Sequence, residues 1–323
     1  MKITIISHDN WGYNQNIVEA LKKRGHIVNH IDFNTFKYKY PNFSYRIYNF
    51  FLKAFFNKNI KNIHFGTEIN NRLEELGQIQ DIILTIKGDF IDPKKILDFK
   101  KYTKKSIAFF NDNIKRCPKI ISTISNFDEV YTFEKEDALK YNLKFITNFI
   151  YRESKLNTGR AFKYDVFNIS SKDNRFRTIC KIAKELKGKG ISFKFIIHDK
   201  KNKLKDLNVE FISESIHIDL VNKLVHDSKL LLDIHRKEQN GLTFRVFESL
   251  GLQKKLITTN HNIVQYDFYN PKNILVIDEK NINFDMDFFT SSYEPIPDDI
   301  YKKYTIENWI ETVFTLDSNS QIS

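Results

Sequence analysis

An arginine and a glutamate three residues apart, Arg245 and Glu248, are the strongest candidates for chemistry in this sequence of 323 residues. They lie in 239-QNGLTFRVFESLGLQKKLITTN-260, on a short predicted helix that follows the apolar strand 229-KLLLDIH-235. Residues three apart share one face of a helix. The guanidinium of Arg245 suits phosphate oxygens, and the carboxylate of Glu248 can accept two hydrogen bonds from a vicinal diol such as a ribose. The pair therefore suggests an anionic, sugar-containing ligand.

The residues before this helix favour a ligand at its start. Gly241 allows a backbone to approach a ligand closely, and Thr243 is placed to cap the helix, whose N-terminus favours anions. His235, Arg236 and Asn240 follow the carboxyl end of the preceding strand, where parallel sheets bind ligands. The alternative is an ordinary amphipathic helix with a surface Arg–Glu pair, which would contribute a few tenths of a kcal/mol.

The elements that must position these residues alternate between strands and helices along the chain. In the first half, apolar runs of strand length lie at 2–6, 81–85, 106–110, 129–133 and 144–149, with helical patterns between them. The second half repeats the rhythm, with strands predicted around DVFNIS, FKFIIHD, VEFISES, KLLLDIH, KLITTN and NILVID. This alternation predicts an α/β fold with parallel sheets covered on both faces.

A polar stretch without clear periodicity, 151-YRESKLNTGRAFKY-164, separates the two halves. We therefore predict domains at 1–155 and 156–303, followed by a C-terminal segment, 304–323, that begins with an amphipathic helix.

Polar residues also follow three strands of the first half, at one edge of the predicted sheet. The segments are His8–Tyr13, Lys87–Asp89 and Asn111–Asn113. A transferase that deprotonates an acceptor hydroxyl can use a carboxylate or a histidine as base. The candidates for that base are Asp9, Asp112 and His8, and those for acceptor contacts are Asn10, Trp11, Tyr13, Lys87 and Asn113. The alternative is that Asp and Asn after a strand form Asx turns.

The net charge is +11, and residues 1–150 hold 24 Lys and Arg against 16 Asp and Glu. This excess of positive charge favours an anionic partner. The amino-acid composition typical of an AT-rich genome explains the excess equally well. The two cysteines, Cys117 and Cys180, fit no metal-binding spacing, and free thiols point to the cytoplasm. We recognise no secretory signal and no apolar run long enough to span a bilayer.

Two further patterns have competing interpretations. The aromatic and basic helix over 45–62 is interpreted as core with snorkelling lysines, and a membrane-facing edge is the alternative. The tripeptide 285-DMD-287 matches a DxD metal-binding motif, but it lies in a polar tail after the last strand. We therefore expect no metal site and no cofactor.

Three stretches together resemble GT-B glycosyltransferases, in detail the CgeB-like and Eps11J-like proteins of bacterial surface-polysaccharide loci. They are 239–260 with its continuation 263-IVQYDFYNPKNILVID-278, 126-NFDEVYTFEKEDALKYNLKFITNFIY-151 after 111-NDNIKRCPKI-120, and 293-YEPIPDDIYKKYTIENWIETVF-314. The resemblance implies two facing Rossmann-like domains with an interdomain cleft, and a C-terminal helix that crosses back to the first domain.

The resemblance also implies roles for individual residues. In many retaining GT-B enzymes a Glu-x7-Glu segment lies here, and its second Glu, matched by Glu248, binds the nucleotide ribose. The first Glu, which contacts the sugar, is replaced by Asn240, so retention of configuration, although typical of such segments, stays open. The loop 170-SSKDNR-175 resembles the family's phosphate-side loop, with Lys172 and Arg175 toward the pyrophosphate; a solvated loop is the alternative.

The sequence thus predicts a cytoplasmic glycosyltransferase, at the inner face of the membrane, that uses a nucleotide-sugar donor and a lipid-linked or oligosaccharide acceptor. A nucleotide-sugar epimerase on the same two-domain plan and a catalytically inactive sugar-nucleotide binder are alternatives. A nucleic-acid-binding protein is a further alternative, but the sequence has no recognisable helix-turn-helix, RRM or zinc signature, so we expect no nucleic-acid partner.

Overall fold

The computed structural model describes residues 1–9, 11–154, 161–200, 205–214 and 216–315. The chain forms two compact units, which we call unit 1 and unit 2. Unit 1 contains Met1–Thr147 and the chain from Ile306 on, and unit 2 contains Asn148–Thr305. The change from one unit to the next thus falls eight residues before the predicted boundary at 155.

Unit 1 is built on a parallel sheet of six strands in the order β2-β1-β3-β4-β5-β6. The strands are β1 Lys2–Ser7, β2 Ile27–Asp32, β3 Gln80–Ile86, β4 Thr103–Phe110, β5 Glu129–Thr132 and β6 Lys144–Phe145. The helices that follow β1 to β5 are α1 Tyr13–Lys23, α2 Phe43–Phe56, α3 Ile60–Glu75, α4 Pro93–Leu97, α5 Ile121–Ile124 and α6 Lys135–Tyr141. The central strands are buried on both faces, as in β3, where Ile82, Ile83 and Leu84 are all fully buried.

Unit 2 repeats this plan with strand order β12-β11-β10-β7-β8-β9, again parallel. Its strands are β7 Tyr164–Ser171, β8 Phe193–His198, β9 Glu210–Ile212, β10 Ser228–Asp233, β11 Lys255–Thr258 and β12 Ile274–Val276. Its helices are α7 Phe176–Gly188, α8 Ile218–His226, α9 Phe244–Gly251, α10 Met286–Thr290 and α11 Asp298–Lys303. The predicted α/β class with parallel sheets is confirmed.

The last helix, α12 (Ile306–Val313), belongs to unit 1, as predicted. Trp309 on this helix is buried, its ring lies 5.3 Å from that of Phe109, and its Nε1 donates to the Thr147 carbonyl at 3.1 Å. On the exposed side, Arg24, the residue after α1, donates to the Glu311 carboxylate at 3.0 Å. These contacts fix the end of the described chain to the unit in which the chain starts.

Three elements differ from their predictions. The helix expected over 45–62 is two helices, α2 and α3, because Asn57 takes a left-handed conformation (φ 52°) between them. The strand expected over 144–149 is only Lys144–Phe145. The helical pattern between the strands predicted at 81–85 and 106–110 forms only the short helix α4 and then a 3-10 turn at Asp98–Lys101. Among the described residues no helix is both long and apolar enough to cross a bilayer.

The interpretation of residues 45–62 as core is wrong for α2. Of its 14 residues, only Asn49 is buried, and Phe43, Phe55 and Phe56 are 72%, 73% and 67% exposed. A hydrophobic stripe indicates a buried face only if another element covers it, and that depends on contacts distant in sequence.

Candidate functional site

The strand order of unit 2 sets the place where a ligand should bind. β7, the first strand of the unit, lies between β8 and β10, so the chain turns to one side after β7 and to the other side after β10. The two loops diverge at the carboxyl ends of these strands and leave a crevice, the usual ligand site of open α/β sheets. The predicted residues Lys172 and Arg175 follow β7, and His235, Arg236 and Asn240 follow β10.

One carboxylate joins the loops that follow β7 and β10. Asp173 accepts hydrogen bonds from Arg175 Nε at 2.9 Å and Nη2 at 2.7 Å, and Arg236 lies 3.5 Å away. Arg175 also donates to the Ile234 carbonyl at 2.7 Å. Burial would raise the pKa of Asp173, but the bonds from Arg175 outweigh burial and lower it. Within this cluster two guanidinium groups face one carboxylate.

The remaining predicted cation of this region is also paired. Lys172 Nζ lies 3.1 Å from Asp199, whose side chain is buried. Both Lys172 and Arg175 contact carboxylates, but Lys172 is exposed, so the solvated-loop alternative for 170–175 stays open.

His235 is held by the loop after β11. Its backbone N–H and its Nδ1 both lie within 3.0 Å of the Thr259 hydroxyl. Burial lowers the pKa of His235 more than the nearby Asp233 raises it, so the imidazole is neutral at pH 7. A neutral, fixed imidazole can orient a ligand by hydrogen bonding without adding charge.

Thr243 precedes α9, as predicted, but its predicted capping bond is wrong. Its hydroxyl donates to Asp233 at 2.9 Å instead of accepting from an N–H group of the first helical turn. Asp233 is buried and also accepts from the Thr258 hydroxyl at 3.2 Å. A buried carboxylate competes successfully for the hydroxyl because it must have hydrogen-bond donors.

Arg245 and Glu248 form an ion pair on α9, and Glu248 is only 4% exposed. The Tyr151 hydroxyl donates to Glu248 Oε1 at 2.8 Å, and Arg152 lies 3.6 Å from the same oxygen. The surface-pair alternative does not fit, because Glu248 is buried and the Arg245 side chain is only 13% exposed. The Arg245 guanidinium also lies 5.8 Å from the ring centre of Phe167. Burial of a carboxylate among three donors fixes its orientation.

Gly251 explains how Tyr151 and Arg152 reach Glu248. A side chain at position 251 would meet the Arg152 carbonyl oxygen at 2.0 Å, so only glycine lets residues 150–154 lie against the end of α9. The Ser154 N–H donates to the Gly251 carbonyl at 2.9 Å. Tyr151 and Arg152 were not selected from the sequence, because the polar stretch 151–164 indicated a linker.

Asn240 is fixed by two asparagines from the loop after β11. Its backbone carbonyl accepts from Asn260 at 3.2 Å, and its side-chain oxygen accepts from Asn262 at 3.0 Å. Gly241, next to it, is buried. The amide at position 240 is thus part of a polar network of the fold.

In unit 1 the candidate bases follow β1 and β4, the two strands on either side of β3. The His8 ring stacks on Phe90 at 5.0 Å, and burial and the charge of Lys87 lower the pKa of His8, so the imidazole is neutral at pH 7. Asp9 caps α1 by accepting from the N–H groups of Gly12 at 2.8 Å and Asn14 at 2.9 Å. This is the Asx-turn alternative, and it argues against Asp9 as the base.

Asp112 and Asp89 form an acidic pair at the same edge. Asp112 is paired with Arg116 and lies 4.0 Å from Lys87. Burial, and secondly the charge of Asp112, raise the pKa of Asp89 to about 6. Burial and the charges of Asp112 and Asp89 together raise the pKa of the neighbouring Cys117 to about 12. Asp89 was not selected from the sequence, since nothing in KGDF shows that its carboxyl is buried.

The other residues predicted to contact the acceptor differ in how exposed they are. Trp11 is 54% exposed and Tyr13 is the first residue of α1, whereas Asn113 is buried and accepts from the Arg116 N–H at 2.8 Å. Asn10 lies outside the described residues.

The 285-DMD-287 segment has a structural role, since Asp285 accepts from the Asp287 N–H at 3.0 Å and caps α10. No cluster of three His, Cys, Asp or Glu side chains suited to a metal occurs in the described part of the chain. A cavity of about 320 Å³ within unit 2 lies at the far end of α9 from Arg245, between Leu250, Tyr293 and Tyr301. The cavity is therefore separate from the predicted site.

No protein-family model and no curated protein matches the chain. Among solved structures, the chain is similar to UDP-GlcNAc 2-epimerase from Methanocaldococcus jannaschii (TM-score 0.51, 11% identity), with 97% of this chain and 99% of that chain covered. It is also similar to UDP-GlcNAc 2-epimerase from Neisseria meningitidis bound to UDP-GlcNAc (TM-score 0.50, 14% identity), with 97% of this chain and 98% of that chain covered. A third similar structure is that of Acinetobacter baumannii MurG (TM-score 0.50, 7% identity), with 97% of this chain and 99% of that chain covered. At these identities the likeness concerns the fold, and the two parallel-sheet units with the returning helix α12 are those of a two-domain GT-B fold.

Proposed function

We propose that this protein is a glycosyltransferase that moves a sugar from a nucleotide-activated donor to a lipid-linked or oligosaccharide acceptor. The observation that carries the proposal is the buried Glu248 carboxylate on α9, directly after the switch-point strand β10, with Arg245 beside it. The resemblance to CgeB-like proteins supports a role in bacterial surface-polysaccharide biosynthesis, with the protein in the cytoplasm.

Unit 2 holds the donor in this proposal. Glu248 accepts hydrogen bonds from the ribose hydroxyls while Tyr151 and Arg152 keep its carboxylate in place. Arg245 and Arg236 stabilise the negative charge that develops on the departing diphosphate. Such fixed cations can replace a metal ion in this role, so we propose that transfer needs none.

Unit 1 supplies the base. The neutral imidazole of His8 accepts the proton of the acceptor hydroxyl as that oxygen bonds to the anomeric carbon. The bond from the anomeric carbon to the phosphate oxygen breaks, and the nucleoside diphosphate leaves with the electron pair. Asp112 is a weaker candidate for the base, because its carboxylate is paired with Arg116 and lies near Lys87.

A screen of UDP-, GDP-, dTDP- and CMP-sugars for binding and turnover tests the proposal. Arg245→Ala should slow donor turnover more than about tenfold while nucleoside binding changes less, because the lost cation acts on the phosphate. The matched control is Arg177→Ala, an exposed arginine on α7 of the same unit. Equal losses of nucleoside and sugar-nucleotide affinity, without a slower rate, would contradict the role of Arg245.

The same screen separates a transferase from an epimerase. Asn240, tied to Asn260 and Asn262 where a retaining enzyme would present a glutamate, is the observation that favours an inactive sugar-nucleotide binder as a further alternative. An epimerase converts the donor into an isomer without acceptor, whereas a transferase releases the nucleotide only with an acceptor or, slowly, with water. Binding without either product would indicate an inactive sugar-nucleotide binder.

A further inference from the structure

Helix α2 of unit 1 presents an apolar surface to solvent. Eight of its 14 residues are large apolar side chains that are between 44% and 73% exposed. They are Phe43, Tyr45, Ile47, Tyr48, Phe50, Phe51, Phe55 and Phe56. Single exposed apolar residues are common on protein surfaces, but a continuous set of this size marks an interaction surface.

Hydrogen bonds hold α2 to unit 1. Asn49, its one buried residue, donates to the Tyr40 hydroxyl at 2.7 Å and accepts from the Ile60 N–H at 2.8 Å. Asn42 caps the start of the helix by accepting from an N–H of the first turn, and Asn57 ends it in a left-handed conformation. The helix is therefore fixed in position through asparagines while its aromatic side chains stay exposed.

The sequence around α2 carries positive charge only. Residues 33–67 contain six Lys and Arg and no Asp or Glu. All six cations are exposed, and they are Lys37, Lys39, Arg46, Lys53, Lys58 and Lys61. An apolar surface within a cationic field selects an occupant that is both apolar and anionic.

We propose that α2 is a membrane-docking helix that lies in the headgroup region of a bilayer rich in anionic phospholipid. Aromatic side chains next to Lys and Arg have the composition of helices that lie in the interface. Each cation near such a surface adds electrostatic attraction to acidic lipids. A second copy of the chain fits less well, because pairing two α2 helices would bring twelve cations together. The proposal is independent of donor binding in unit 2.

Flotation with vesicles tests the apolar part of the proposal. The full chain should float with vesicles of phosphatidylcholine and phosphatidylglycerol, and much less with phosphatidylcholine alone. Phe51 and Phe55 lie one turn apart with ring centres 6.0 Å apart, so the double change Phe51→Ser and Phe55→Ser removes one exposed patch. It should weaken vesicle binding by at least about tenfold. The matched control is Ile79→Ser with Leu139→Ser, which are 52% and 86% exposed elsewhere in unit 1.

Charge reversal tests the electrostatic part. Lys53→Glu with Lys58→Glu should weaken binding to the acidic vesicles by at least about tenfold, and the remaining binding should depend less on salt. Lys23→Glu with Lys140→Glu makes the same change in net charge at exposed sites away from α2. Equal loss in both pairs would show a mere net-charge effect and overturn the proposal, as would equal flotation with neutral vesicles. If the full chain does not bind vesicles but self-associates, and the phenylalanine changes abolish that self-association, the surface would be assigned to a second copy of the chain instead.

Discussion

Replacing Glu248 by glutamine separates its role in the fold from its role in ligand binding. The substitution keeps the shape of the side chain but removes the charge that Arg245, only 13% exposed in its side chain, is paired with. Hydrogen bonds to charged groups contribute about 1.5–3 kcal/mol each, so we expect the free energy of unfolding to fall by about 2–3 kcal/mol. Glu210→Gln, which breaks the exposed pair with Lys194, should cost less than about 1 kcal/mol.

The same variant should bind nucleotide more weakly, because an amide accepts fewer and weaker hydrogen bonds from a ribose diol. The loss of one charge-assisted bond corresponds to about a 10- to 100-fold higher Kd for the nucleoside diphosphate that the donor screen selects. Titration calorimetry with that nucleotide and its 2′-deoxy analogue measures the effect. The preference for the ribonucleotide should be large in the wild type and small in the variant. An unchanged preference, together with the loss of stability, would show that Glu248 is structural only.

Two further predictions concern stability. Asp89→Asn should raise the free energy of unfolding by about 2 kcal/mol at pH 7.5. The pKa of Asp89 is raised from 3.8 in the unfolded chain to about 6 in the folded protein, so the wild type loses stability as the pH rises from about 4 to 6. The asparagine cannot ionise, so the variant should lack this pH dependence. Urea denaturation at pH 4.5 and 7.5 measures the change, and an unaltered pH dependence would contradict it. Gly251→Ala should destabilise by about 3 kcal/mol and weaken nucleotide binding, because its methyl group displaces residues 150–154 from α9. The control Gly188→Ala has open space around the new methyl group and should be neutral or stabilising by up to about 1 kcal/mol; equal melting temperatures of the two variants would refute the close-approach argument.

The sheets and the position of α9 could be predicted because they depend on local patterns. Buried parallel strands appear as short apolar runs, and the helical pattern after KLLLDIH placed Arg245 and Glu248 on one face in the first two turns. The return of α12 to unit 1 was implied by the resemblance to a known family, and periodicity alone would not have shown it.

The surroundings of the site could not be predicted, since they depend on residues far apart in sequence. Tyr151 contacts Glu248 across 97 positions, and the buried Asp233 takes the hydroxyl of Thr243 that the local pattern assigns to the helix. The exposure of α2 has the same origin. Its stripe resembles that of a core helix, and only the three-dimensional structure shows that Phe43, Phe55 and Phe56 are exposed.

A crystal structure with the selected nucleotide sugar tests the central claim most directly. The account predicts that the ribose hydroxyls lie within about 3.2 Å of the Glu248 carboxylate and that Arg245 contacts the diphosphate. A nucleotide bound instead in the cavity beside Tyr293 and Tyr301, or at the edge of unit 1 near His8, with the Arg245–Glu248 pair intact and distant from it, would contradict the account.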